Sequence, residues 1–388
     1  MCLPAFSFIF FWKCMELKQE ITAFTQHILY YLKVGGTIQL TWVLVRNNLF
    51  ILSKEFRKTK MGKRGRTMGT QKKRDTRELM IYVFITYGLT YLVGFIFLFD
   101  RAKDTNMQIY LSTMFPAMGA AIAMHDRGGN KKNTRYLNDI IFVYFGINVL
   151  VFILMMAGFF KNVGADGIML VPTILASMGV FFYTWISCPR LSPSRNLKMA
   201  SLPVVLALLL ELVKNIAVSW ENFSFIATFF AIVSIFPAIF LSSIAYLGEE
   251  YGWRGFLQEK LQTRFGLCKG VIILGILWEL WHIPFYPGWF ESYTLSQLAV
   301  VVLIRITSVV SMSIFIGWAY LRTNNIWVCI IIHMIHNSMA GVSAGEMNPR
   351  TVILMVLFGL LPALAIFTKE FKKKPELPSG YENTASGE

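Results

Sequence analysis

The chain is 388 residues long, and 55% of its residues are hydrophobic, 15% are aromatic and only 15% are charged. This composition excludes an ordinary soluble globular protein, in which roughly 25% of residues are charged. The formal net charge of +15 is typical of a membrane protein whose cytoplasmic loops are rich in Lys and Arg. No recognisable nucleic-acid-binding motif accompanies the basic residues, so nucleic acid is excluded as a partner. Five cysteines without a CxxC pair indicate neither a disulfide framework nor a metal knuckle.

The first part of the chain differs from the rest. Residues 1–78 are predicted to form a basic N-terminal segment that lies in solvent or on the membrane surface, because residues 54–77 are rich in Lys and Arg. Apolar runs long enough to cross a bilayer as helices follow it. They cover residues 79–99, 107–125, 139–160, 168–188, 200–218, 223–247, 269–286, 296–321, 325–343 and 351–368. Several runs are short, so we expect an all-α, polytopic transmembrane helix bundle with about 8–10 spans.

Loop charges give the orientation. Alternate connecting segments are net basic or carry the only local cation: those before residue 79, at 126–138, 189–198, 248–268 and 322, and after residue 368. The intervening loops, at 100–106, 161–167, 219–222, 287–295 and 344–350, are neutral or acidic. Because Lys and Arg accumulate on the cytoplasmic side, both termini are predicted to be cytoplasmic. We therefore expect a multi-pass cell-membrane protein, with one membrane domain at 79–368 and a cytoplasmic tail at 369–388.

Ionisable side chains inside apolar spans are costly and indicate functional sites. Glu249 and Glu250 directly follow the apolar run at 223–247, and Arg254 lies one helical turn beyond Glu250. If the helix continues, Glu250 and Arg254 face each other and can pair. Glu249 is then rotated by about 100° from that pair and is free to point into a cavity.

The run at 269–286 carries a second group. Trp278, Glu279 and His282 lie on it, and Trp278 and His282 share a helical face. Pro284 predicts that the helix ends or kinks just after His282.

A third group lies on the run at 325–343, where His333 and Asn337 are one turn apart and His336 is adjacent to Asn337. Hydrolysis inside a membrane needs a base for water, a partner that orients it, and donors for an oxyanion. Glu, His and Asn side chains supply that set.

The three groups resemble the motifs of the CPBP family, which joins CAAX prenyl endopeptidases to bacteriocin-processing and self-immunity membrane proteins. The family motifs are Glu-Glu-x3-Arg, aromatic-x3-His and His-x3-Asn. This chain has EEYGWR at 249–254, WELWH at 278–282 and HMIHN at 333–337. The order and spacing match, and the resemblance covers roughly residues 200–368. Trp278 stands where Phe is more usual.

The resemblance implies an intramembrane endopeptidase that cleaves a peptide or membrane-protein substrate near the cytoplasmic face. It implies that Glu249 and His282 activate water, and that His333 and Asn337 stabilise the oxyanion. Glu250, Arg254 and Trp278 would then support the site. We expect a metal-free reaction without a cofactor, with zinc as the alternative, since two His and a Glu also make a zinc set.

Other interpretations of the same residues remain open. Glu250 and Arg254 alone could form an interfacial salt bridge, and the whole set could be a buried network that ties helices together. A non-catalytic immunity or scaffold protein could bind a peptide in the same cavity. A transporter could use Glu249 and the histidines as a proton relay, although it would need no His-x3-Asn spacing.

Overall fold

A computed structural model of the protein describes residues 65–99, 104–125, 131–160, 163–291, 293–340 and 348–372. The backbone within these ranges is helical apart from short connections, and none of it forms a β-strand. The all-α fold class is therefore confirmed. Most of the predicted N-terminal segment and of the C-terminal tail lies outside the described residues.

The helices are numbered in chain order. They are α1 (Gly65–Val83), α2 (Leu89–Phe99), α3 (Thr105–Ser112), α4 (Phe115–Ala123), α5 (Lys131–Met156), α6 (Ala165–Ser187), α7 (Leu197–Val218), α8 (Phe225–Leu241), α9 (Ser243–Gly252), α10 (Gln258–Phe265), α11 (Leu267–His282), α12 (Tyr286–Trp289), α13 (Leu295–Thr323), α14 (Ile326–Ala340), α15 (Pro349–Leu360) and α16 (Lys369–Lys372). Single π-helical turns join α1 to α2 and α9 to α10. Such turns occur frequently at functional sites.

Seven helical segments in the described part of the chain are long and apolar enough to cross a membrane. They are Lys73–Leu98, Arg135–Met156, Ala165–Ser187, Leu197–Val218, Leu267–Trp289, Ser296–Thr323 and Pro349–Phe367. The pair Phe225–Leu241 and Ser243–Phe265, bent by 78°, makes eight if it counts as one span, and α14 is apolar but shorter. The protein is thus a multi-pass membrane protein, as its composition predicts.

The run at 107–125 is two short helices rather than one. Helix α3 ends at Ser112 and α4 begins at Phe115, with Pro116 in its first turn. Proline has no N–H to continue a helical hydrogen-bond ladder, so it favours a fresh start at this position. Hydropathy alone did not distinguish this broken segment from a continuous span.

Helix α9 is set almost at right angles to α8 and is packed closely against α4. The N–H of Ile244, in the first turn of α9, donates a hydrogen bond of 3.1 Å to Ser177 Oγ, which replaces the missing helical acceptor. Gly248 and Gly252 lie one turn apart and face α4: a Cβ at Gly248 would collide with the Thr113 carbonyl, and one at Gly252 with Pro116. Small residues at this spacing allow helix backbones to approach closely in membranes. The two glycines flank the Glu pair and fix its position.

Candidate active site

Helix α9 holds the two adjacent glutamates in different surroundings. Glu250 is fully buried, and Glu249 is 8% exposed. Because successive helical residues point about 100° apart, the two carboxylates face different neighbours. They therefore serve different purposes in the site.

Glu250 lies at the centre of a buried ionic cluster. Its Oε2 accepts a hydrogen bond of 3.0 Å from Arg254 Nε, and its Oε1 lies 3.0 Å from His333 Nδ1. Arg254 Nη1 in turn donates to Ser313 Oγ on α13 at 3.2 Å. Both carboxylate oxygens are thus occupied, and the cluster ties α9 to α13 and α14. The predicted pairing of Glu250 with Arg254 is confirmed.

Glu249 has one oxygen held and sits beside the two imidazoles. Trp278 Nε1 donates a hydrogen bond of 3.0 Å to Glu249 Oε2, and no described residue forms a hydrogen bond to Oε1. The carboxylate is close enough to interact electrostatically with His282 and His333. Such a carboxylate is positioned to accept a proton from a water molecule.

His282 is the last residue of α11, and a 3-10 turn containing Pro284 follows it, as the proline predicts. Its ring lies among aromatic rings, with centroid distances of 4.9 Å to Trp281 and 5.8 Å to Trp289. On the polar side, Nδ1 lies 3.4 Å from Glu279 Oε2. The aromatic rings and this carboxylate restrict the orientation of the imidazole.

His333 and Asn337 lie one turn apart on α14. The Trp278 and Tyr246 rings both meet His333 edge-on, each with a centroid distance of 5.1 Å. The Asn337 side chain is exposed and lies near the Tyr246 hydroxyl. Tyr246 therefore packs beside the third motif, and no motif in the sequence marks its position.

His336 points away from this group. Its Nδ1 lies 2.7 Å from Glu211 Oε1 on α7, and Lys214 pairs with the other Glu211 oxygen. Glu211 and Lys214 lie three residues apart on the same helix, a spacing that permits such a pair. His336 thus belongs to a second polar cluster, whereas Glu249, His282 and His333 come together as the motifs predict.

A zinc site needs at least three protein ligands that converge on one point. Within the described residues, no three His, Cys, Asp or Glu side chains are grouped so that they could hold a metal ion. The Arg254 guanidinium lies over the Trp278 ring at 4.9 Å from its centroid. A fixed cation at this position opposes a second cation by Coulomb repulsion.

Comparison with known proteins gives two matches. The family model described as Type II CAAX prenyl endopeptidase Rce1-like matches residues 225–339, which contain all three motifs. CAAX prenyl protease 2 from Methanococcus maripaludis is 29% identical over 191 residues, which cover 47% of this chain and 70% of that protein. No solved structure matches the chain.

Proposed function

We propose that the chain is a member of the CPBP family of CAAX-type membrane proteases, and that it is a glutamic intramembrane endopeptidase with Glu249 as its general base. One observation carries the proposal: a buried carboxylate, Glu249, lies beside the imidazoles of His282 and His333, which come from two other helices. Burying ionisable groups among membrane helices costs free energy, so such groups usually serve a function. The family supplies the reaction, which is peptide-bond hydrolysis.

The residues divide the chemistry as follows. A water molecule donates one hydrogen bond to Glu249 and the other to His282 Nε2, which together aim its lone pair at the substrate carbonyl carbon. As the bond between the water oxygen and the carbonyl carbon forms, Glu249 takes a proton from the water. The π electrons of the substrate carbonyl move onto the carbonyl oxygen, which becomes the oxyanion. When the carbon–nitrogen bond breaks, Glu249 returns the proton to the leaving nitrogen.

His333 and Asn337 provide the oxyanion donors. The Asn337 amide can donate through its NH2 group. An imidazolium carries N–H groups on both ring nitrogens, so His333 can donate through Nδ1 to Glu250 and through Nε2 to the oxyanion. Glu250 and Arg254 support this arrangement, because they hold His333 from behind. Donors whose positions are fixed in advance are the most effective kind, and the buried His333 is held in this way.

The proposed substrate is a peptide or membrane-protein segment that enters near the cytoplasmic face, without a bound metal or other cofactor. Similarity to a protein named CAAX prenyl protease 2 makes short peptides with a lipid-modified C-terminal Cys-containing sequence the first probes, beside unmodified ones. Cytoplasmic placement of both chain termini is part of the proposal.

The test is cleavage of a quenched fluorogenic peptide library by the purified protein in detergent. Glu249→Ala should reduce kcat by about 10²- to 10⁴-fold, the range of a general base. Glu259→Ala is the matched control, since it removes an exposed carboxylate on α10 and should leave activity unchanged. Cleavage should persist with a chelator; chelator-sensitive cleavage would contradict the metal-free reaction.

A folded, monodisperse protein that cleaves nothing would overturn the proposal. If that protein bound peptide equally well with and without the Glu249 carboxylate, a non-catalytic immunity or scaffold protein would be the better description.

A further inference from the structure

Glu279 is a buried carboxylate that the three motifs do not include. It is 4% exposed and precedes His282 by three residues on α11. Three side chains surround its two oxygens. Arg305 donates to both, with Nε 2.9 Å from Oε1 and Nη2 3.1 Å from Oε2. The Tyr286 hydroxyl donates to Oε1, and His282 Nδ1 lies 3.4 Å from Oε2.

Arg305 makes this carboxylate rigid. It lies within the membrane-spanning segment Ser296–Thr323, and its guanidinium packs over Trp289 at 4.9 Å and over Tyr286 at 5.5 Å from the ring centroids. A bidentate pair between Arg and a carboxylate fixes the plane of both groups. Glu279 therefore cannot rotate freely, and its Oε2 stays directed at His282.

The His282 ring needs such a partner. Its Nδ1 is buried and has no hydrogen-bond partner of normal length among the described residues. In catalytic sites without substrate, hydrogen bonds are often long and tighten when the substrate binds. A carboxylate at Nδ1 places the proton there and leaves Nε2 with a free lone pair, since a neutral imidazole carries one proton.

We propose that Glu279, clamped by Arg305, is a positioning residue that holds His282 with its proton on Nδ1 and with Nε2 free to accept a hydrogen bond from the nucleophilic water. This inference rests on the proposed function. Glu279 would affect the reaction only through His282, in the way that a carboxylate orients a metal-bound histidine by accepting a hydrogen bond from its other ring nitrogen.

A purely structural role is the competing explanation, because Glu279 also neutralises the partly buried Arg305. The two roles separate in a pair of variants. Glu279→Gln alone leaves the partly buried Arg305 guanidinium without its counter-charge and should lower stability. Glu279→Gln combined with Arg305→Gln removes both charges and should restore stability close to that of the wild type.

The expected result is that the double variant folds normally but has a kcat about 10- to 100-fold below that of the wild type, with KM within about twofold. Tyr286→Phe is the matched control: it removes one donor to the same carboxylate, leaves the contact with His282, and should keep nearly full kcat. Wild-type kcat in the double variant would overturn the proposal. A loss of kcat that accompanies a loss of thermal stability would also count against it.

The proton position can be read without any cleavage assay. The chain has five histidines, so nitrogen NMR of the protein with isotope-labelled histidine is tractable, and His282→Gln identifies the signal. We expect the proton on Nδ1 in the wild type and a shift toward Nε2 in the double variant. A wild-type proton on Nε2 would overturn the positioning role even if the protein is an active protease. Absence of cleavage would instead overturn the proposed function.

Discussion

Helices α8 and α9 are consecutive in the chain and have opposite characters. Helix α8 is almost wholly apolar, yet of its residues only Thr228 and Ile235 are buried, and several of its phenylalanines are exposed. Helix α9 carries two glutamates and two glycines, and every residue from Leu247 to Gly252 is buried. In water the apolar helix would be the inner one. In a bilayer the lipid accepts apolar side chains, so the polar helix takes the interior.

The sharpest contrast lies within α9 itself, between its two glutamates. Glu250→Gln removes one charge of a buried pair and leaves the fully buried Arg254 without its counter-charge. We expect a loss of about 3–5 kcal/mol in the free energy of unfolding, the usual cost of an uncompensated buried charge. Equilibrium unfolding in mixed micelles would measure it.

Glu249→Gln is the control for that variant, because the same chemical change occurs one residue away. It should cost about 1 kcal/mol or less in stability, since one hydrogen bond from Trp278 is weakened rather than an ion pair broken. Cleavage should nevertheless be lost. Equal destabilisation by the two substitutions would show that the carboxylates do not differ as their contacts indicate.

The second prediction concerns the close approach of α9 to α4. Gly252→Ala places a methyl group against Pro116, so we expect a loss of about 1–3 kcal/mol from overpacking. Gly255→Ala is the matched control, because the atom nearest to its Cβ would be a Tyr251 ring carbon at 3.6 Å, an ordinary contact distance. That variant should be neutral or gain up to about 1 kcal/mol from helix propensity. Thermal unfolding in detergent compares the two.

Equal stability of both alanine variants would contradict the prediction, because it would show that the packing of α9 against α4 tolerates a side chain at position 252. A loss in Gly255→Ala alone would place the tight contact on the other side of the helix.

The sequence predicts the helices of this protein better than their breaks. Hydropathy identifies α5, α7 and α13 as spans because long apolar runs permit little else in a bilayer. It misses the interruption near Pro116, since a proline in an apolar run is compatible with either a kinked or a broken helix. It also gives no indication of which face of an apolar helix meets lipid.

In the candidate site, too, the sequence predicts local features but not the contacts between distant segments. Motif spacing predicts that Glu250 pairs with Arg254, and Pro284 predicts that the helix ends just after His282. The contacts between distant segments, such as that of Arg305 with Glu279, depend on tertiary packing. Arg305 did leave a signal, because it is a charged residue within the apolar run at 296–321, where each charge calls for a partner. Its partner could not be chosen without the fold.

A smaller loss of activity is expected when the hydrogen bond from Trp278 to Glu249 is removed. Trp278→Phe removes the N–H that holds Glu249 Oε2 but keeps an aromatic ring. Phe is the more usual residue at this position of the family motif, so we expect a partial loss of about tenfold in kcat, or about 1.4 kcal/mol. KM should not change, because Trp278 acts on the base and not on the substrate.

Trp327→Phe makes the same change elsewhere in the interior, where the indole N–H donates to Thr184 Oγ1 at 3.1 Å. It should lower stability and leave kcat unchanged. A kcat loss of similar size in both variants would trace the effect to general loosening of the bundle rather than to Glu249.

The smallest effect belongs to α8. Phe230 is 64% exposed, and Phe230→Leu exchanges one apolar side chain for another on a surface that meets lipid. We expect a change of less than about 0.5 kcal/mol in unfolding free energy and unchanged cleavage, as for substitutions outside packed or charged features.

Phe230→Ser tests what surrounds this face of α8. If the face meets only water, a polar side chain at position 230 should leave folding and membrane insertion unchanged. Impaired insertion of that variant into membranes, together with normal insertion of Phe230→Leu, would identify lipid as the neighbour of α8 and would explain why the more apolar of the two helices lies outside.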